Sequence, residues 1–110
     1  MALPEAIFHP AALAAIKSFP KAVKHELGET LMKIQWGATI GMPLSRPMPD
    51  LAPGVCELRI RDRSGIYRAF YLVRSSAGAV IVFHAFQKKT QKTPRREMEL
   101  GKRRLREVLQ

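Results

Sequence analysis

Residues 56–90 read CELRIRDRSGIYRAFYLVRSSAGAVIVFHAFQKKT, three strand-like runs parted by two turn signals. In the first run, Cys56, Leu58 and Ile60 alternate with Glu57, Arg59 and Arg61, the period of two that marks a half-buried strand. Asp62, Arg63, Ser64 and Gly65 are turn formers, and Ile66 to Arg74 is rich in aromatic and β-branched residues, so the two runs predict an antiparallel hairpin. A four-residue loop sets Arg59 opposite Arg68; a Ser64-Gly65 turn sets Arg61 opposite Arg68. Both registers keep Glu57, Arg59, Arg61, Arg68 and Phe70 on one face. The third run, Ala79 to Phe86, is almost wholly apolar, as a central strand covered on both faces should be, and it runs out into Gln87, Lys88, Lys89 and Thr90. A two- or four-residue turn at Ala77-Gly78 puts His84 on the face away from Arg68, together with Tyr67 and Tyr71. That predicts a core histidine, which only an odd loop or a bulge reverses.

Arginine facing arginine destabilises a sheet by tenths of a kcal/mol up to about one. Three arginines and one acid on a face therefore imply an anion as its partner, and Lys88 and Lys89 carry the cationic site onto the following loop. The plainer reading is a set of solvated surface arginines partly offset by Glu57.

Working outward, Ala6 to His9 is a candidate short strand. Pro10 suits the first turn of a helix to near Ser18, and Pro20 opens a second helix to about Trp36, with Val23, Leu27, Leu31 and Ile34 on one stripe and Gly37 as its end. These predict a helical hairpin over the apolar face of the sheet, with Trp36 in the core or at its rim. Gly41 to Gly54, with four prolines, reads as a loop. Thr93-Pro94 starts a helix to about Leu109 that turns Met98, Gly101, Leu105 and Val108 inward and Arg95, Arg96, Lys102, Arg103 and Arg106 outward. The predicted fold is α+β: an N-terminal strand and helical hairpin packed on an antiparallel meander, then a basic helix, in one domain over residues 1–110.

The net charge is +10, and residues 55–110 hold fourteen Lys or Arg against five acids, while residues 1–54 hold five against four. Nine of the ten excess charges thus lie in the half with the hairpin. Such a field suits a polyanion, above all nucleic acid, and an acidic protein would answer it as well. Cys56 is the single cysteine and lies on the apolar side of its strand, which fits a reducing compartment and a core role. His25 to Glu29, HELGE, lacks the second histidine of a zinc motif, and the other histidines are scattered, so no metal or cofactor is expected. No segment approaches the roughly 18 apolar residues of a membrane span, and the N-terminus lacks the basic start of a secretion signal; a cytoplasmic protein without a membrane partner is expected.

The element order, together with GIYRAFY at 65–71, HAFQKKTQKTP at 84–94 and CELRIRDRSG at 56–65, resembles the RelE/ParE superfamily of toxin-antitoxin toxins, and within it the phage-derived HigB-like branch. The resemblance implies a ribosome-dependent endoribonuclease, an mRNA interferase, that cuts mRNA in the decoding site and is held inactive by an antitoxin, often of helix-turn-helix type. Carried onto this chain, it makes Arg68 the stabiliser of charge at the scissile phosphate, with Arg59, Arg61, Lys88 and Lys89 around it. Lys92, Arg95, Arg96 and Arg103 are candidates for a phosphate track outside the reaction centre. Related toxins often have a cation where Glu57 stands. RNA brings its own nucleophile, the 2′-OH, so metal-free cleavage needs alignment, a proton acceptor and cations around the phosphorane-like charge. Arginine is a poor base because its pKa exceeds about 12. Glu57 and a lysine with a depressed pKa are both open as proton acceptors. The alternatives to a nuclease are a ParE-like inhibitor of DNA gyrase and a non-catalytic nucleic-acid-binding protein.

Overall fold

The structure, a computed structural model, describes residues 6–74, 79–89 and 93–110. In chain order these form β1 (Ala6–Phe8), α1 (Pro10–Lys17), α2 (Lys21–Gln35), β2 (Ser45–Pro47), β3 (Val55–Asp62), β4 (Gly65–Arg74), β5 (Ala79–Lys88) and α3 (Arg95–Leu109). The turn at Ala77-Gly78 and the residues Thr90 and Lys92 lie outside the described residues.

The β3–β4 hairpin takes the first of the two predicted registers, with Arg59 opposite Arg68 and Asp62 opposite Gly65. The Asp62 carboxylate accepts hydrogen bonds from the Ser64 backbone N–H at 2.8 Å and the Ser64 hydroxyl at 2.6 Å, which closes the turn. Gly65 follows at φ 145°, a backbone conformation that calls for glycine.

The sheet is α+β in class and mixed in direction, with order β1-β5-β4-β3-β2. The expected antiparallel meander is its centre; β1 adds to the far edge parallel to β5, and β2 adds antiparallel to β3. The second addition corrects the reading of Gly41 to Gly54 as loop throughout. A strand of Ser45, Arg46 and Pro47 is too short to show a period, and its proline is tolerated because the strand lies at an edge. Its ends are fastened by Arg59 N–H to Leu44 O at 2.8 Å and Met48 N–H to Val55 O at 2.8 Å.

Each face of the sheet is covered. α1 and α2 lay Ile16, Val23, Leu27, Leu31 and Ile34 over Leu58, Ile60, Tyr67, Tyr71, Val80 and Val82, as the helical stripe predicts. Full burial of each large apolar side chain is worth about 1.5–3 kcal/mol. Cys56 packs at the margin of this cluster. On the other face α3 sets Leu105, Met98 and Val108 against Phe70, Ile81, Phe83 and Phe86. Gly101 permits that approach: a Cβ there would lie 2.9 Å from the Phe70 ring. α1 is capped by His9, whose Nδ1 accepts from the Ala11 N–H at 3.0 Å, and α2 ends at Gly37 with φ 96°. Trp36 departs from expectation: it is 69 % exposed, because the stripe of α2 ends at Ile34 and the chain turns off at Gly37 before the indole reaches the core.

His84 is buried as predicted, but its predicted face is overturned. β5 carries a bulge: Phe70 pairs with His84, and the next residue, Tyr71, pairs with Val82, leaving Phe83 as the extra residue. The one-residue slip flips His84 to the face that holds Phe70 and Arg68, under α3.

Candidate active site

The register builds three cross-strand rows on the α3 face, each read across the sheet. Arg46, Glu57, Phe70 and His84 form one row; Arg59, Arg68 and Phe86 the next; Arg61, Ile66 and Lys88 the third. The cations therefore sit together, chiefly on β2, β3 and the first half of β4, while the rings of the same rows, Phe70, His84 and Phe86, are buried on the side of α3.

Glu57 is 2 % exposed and Arg68 5 % exposed, unusual burial for a carboxylate and a guanidinium. Glu57 Oε1 lies 3.5 Å from Arg68 Nε and 4.0 Å from Arg59 Nε, close enough for attraction and too far for good hydrogen bonds. Glu57 Oε2 and the Nε atoms of Arg59 and Arg68 make no hydrogen bond, although all three are buried. Burial pushes the Arg68 guanidinium below its ordinary pKa; Glu57 opposes that, and Arg59, Arg61 and Arg46 add to it. One carboxylate thus faces several cations, and its own contacts are long. The imbalance favours an incoming anion.

A cavity of about 330 Å³ opens directly on this group, lined by Arg59, Arg61 and Arg68 with Pro43 and Leu44. Lys88 of β5 stands in the same row as Arg61, across Ile66. Burial lowers its pKa first, then the charges of Arg68, Arg59 and Arg46, against the opposing pull of Glu57. A lysine so placed releases its proton more readily than one in water.

Among the residues singled out from sequence, Glu57, Arg59, Arg61, Arg68 and Lys88 are brought together. Lys89 follows the last residue of β5, is exposed, and lines neither cavity on this face. Arg95, Arg96 and Arg103 are exposed on α3, and Arg95 is in ion contact with Glu99 at 3.3 Å. Lys92 falls outside the described residues.

The sequence reading missed Arg46, which stands opposite Glu57 from within the proline-rich segment. It also missed Glu97 and Arg104, which hold His84. Arg104 donates to His84 Nδ1 at 2.6 Å, so that nitrogen is the unprotonated one, and Nε2–H donates to Glu97 at 2.8 Å. Burial pushes the His84 pKa down; Glu97 opposes that and Arg104 adds to it. With both nitrogens engaged, this neutral imidazole fastens α3 to the sheet and is no free base. His9 makes a second tie, 2.8 Å from Glu107 near the end of the helix. Residues 97, 101, 104 and 108 share one helical face, a spacing that marks Arg104 as inward. Among the described residues no group of three or more His, Cys, Asp or Glu is placed to hold a metal, and no helix is long and apolar enough to cross a membrane.

A family model described as phage-derived protein Gp49-like matches residues 14–106. Among solved structures, a mutant of the E. coli RelE toxin in the free state superposes with a TM-score of 0.63 at 17 % identity, covering 97 % of this chain and 99 % of that one. The isolated E. coli RelE toxin gives 0.58 at 22 % identity, over 80 % and 87 % of the two chains. The toxin-antitoxin complex RelBE2 from Mycobacterium tuberculosis gives 0.54 at 13 % identity, over 79 % and 100 %. At these identities the likeness establishes the fold. No curated protein sequence matches the chain.

Proposed function

The chain belongs to the phage-derived Gp49-like family, and on that premise we propose that it is the toxin of a toxin-antitoxin pair, a ribosome-dependent mRNA endoribonuclease acting in the cytoplasm as one domain over residues 1–110. The observation that carries the reading is Arg68, buried among cations with one loosely held counter-charge, at the wall of a cavity lined by two more arginines. A phosphodiester supplies the anion that this arrangement lacks.

In the proposed reaction the 2′-oxygen bonds to phosphorus as the bond to the 5′-oxygen breaks. Arg68, Arg59 and Arg61 take up the charge that grows on the equatorial oxygens. Of the two candidate proton acceptors, Lys88 is favoured: it lies partly open on the same face with a lowered pKa, whereas Glu57 is sealed beneath the guanidinium groups. Lys88 takes the 2′-OH proton and the leaving 5′-oxygen takes one from solvent, giving a 2′,3′-cyclic phosphate and a 5′-hydroxyl. Glu57 acts as a positioning residue for Arg59 and Arg68. No step needs a metal. Because cations alone align free RNA poorly, the ribosome supplies the strand geometry. Arg95, Arg96, Arg103, Lys89 and Lys92 serve as outlying phosphate contacts. The partner is a cognate antitoxin, proposed as a helix-turn-helix protein; the M. tuberculosis structure that shares the fold is a toxin-antitoxin complex.

Primer extension on a defined mRNA in a purified translation system tests this. Cleavage by the wild type with ribosomes, and its loss without them, is expected. No cleavage, together with inhibition of purified gyrase, would overturn the reading in favour of gyrase poisoning.

A further inference from the structure

Beside the arginine face lies a second cavity, of about 520 Å³, which meets the proposed reaction only through Lys88 on its wall. Arg46 and Lys88 line it, and the register sets Arg46 opposite Glu57 and Lys88 in the row of Arg61, so it lies beside the phosphate site. Its other walls differ in kind from the first cavity. Met48, Met98 and two prolines give it apolar surface, Thr93 borders it, and Asp50 puts the one acid on its lining. Asp50 is exposed, and among the described residues no ion pair or side-chain hydrogen bond engages it.

A carboxylate repels phosphate, so Asp50 works against a second backbone contact there. What it attracts is an N–H donor. Thioether and proline surfaces, for their part, cover the faces of a planar ring, and RNA-binding sites commonly combine such stacking with hydrogen bonds to the edge of an unpaired base. The bases differ in what they show a carboxylate. Guanine presents its ring N1–H and its 2-amino group side by side, two parallel donors for two carboxylate oxygens. Uracil presents one N–H flanked by two carbonyl oxygens, which the carboxylate repels.

Resting on the nuclease reading above, we propose that this cavity receives the base of a nucleotide flanking the scissile phosphate, and that Asp50 sets a preference for guanine there. Asp50 is thus a specificity-determining residue for the same reaction, with Met48 and Met98 holding the ring.

The test is cleavage on ribosomes of mRNAs that carry G, A, C or U at each position flanking the cut, by wild type and by Asp50→Asn. The wild type should cut guanine-bearing sites about 10-fold or more faster than uracil-bearing ones at one flanking position, the size of one good bidentate base contact. Asp50→Asn, whose amide offers one donor and one acceptor, should lose most of that ratio. A wild type indifferent to guanine, or an unchanged ratio in Asp50→Asn, overturns the inference and leaves the nuclease standing. A wild type that cuts none of the mRNAs overturns both.

Discussion

Replacing Glu57 by glutamine keeps the volume of the side chain and removes the one acid among Arg46, Arg59 and Arg68. At 3.5 Å and an effective dielectric near 20, the attraction between Glu57 and Arg68 is about 4–5 kcal/mol before desolvation is subtracted. Breaking a buried pair by removing one partner costs about 3–5 kcal/mol, and the lower end applies because neither contact of Glu57 has hydrogen-bond geometry. Glu57→Gln should therefore lose about 3 kcal/mol, moving a urea midpoint down by about 1.5 M for a slope near 2 kcal/mol per M. Sulfate should then restore part of the loss, since a small dianion at the arginine face replaces the missing charge and binds only the folded state. The same salt should help the wild type less, because Glu57 already competes with it. Unfolding curves in urea, with sulfate and with an equal ionic strength of chloride, measure both effects. A variant as stable as the wild type, or equal stabilisation of the two proteins by sulfate, would refute the counter-charge role of Glu57.

Gly28→Ala, on an exposed face of α2 with open space around it, should stabilise by up to about 1 kcal/mol, whereas Gly101→Ala, whose methyl meets the Phe70 ring at 2.9 Å, should destabilise by about 1–2 kcal/mol despite the same gain in helix propensity; thermal melts of the pair check the opposite signs. The buried His84 has its pKa held below the ordinary histidine value, so the unfolded chain binds the proton first, and stability is complete above about pH 6.5 and falls as the pH drops towards the folded pKa. Urea midpoints between pH 7.5 and pH 5 should show that slope, and it should flatten in His84→Gln. Arg61→Ala, at an exposed position on the wall of the phosphate cavity, should slow ribosomal cleavage by about 10- to 100-fold with little change in melting temperature.

The hairpin and its arginine face were legible because Cys56 to Arg61 alternates without a break and both admissible turns leave Arg59, Arg61 and Arg68 on one side. The helices were legible from their stripes. What escaped reading had a physical cause in each case. AVIVFHAF is apolar on both faces, so no alternation marks the bulge at Phe83, and the face of His84 hangs on that one residue. β2 is three residues among prolines, and its pairing comes from β3 rather than from its own pattern. Arg104 was legible in principle from its spacing to Glu97 and Gly101, yet an arginine in a basic helix looks solvated until its acceptor, His84, is known to face it. Trp36 has the hydrophobicity of a core residue, and only the turn at Gly37 leaves it outside.

The most direct test of the central claim, that the arginine face promotes attack by the RNA's own 2′-OH, is a single-atom change in the substrate. An mRNA with one 2′-deoxynucleotide at the cleaved position, programmed into ribosomes and mixed with the wild-type protein, should resist cutting at that bond, while the all-ribose control yields a 2′,3′-cyclic phosphate and a 5′-hydroxyl. Cleavage of the deoxy-substituted bond at the control rate would contradict the account.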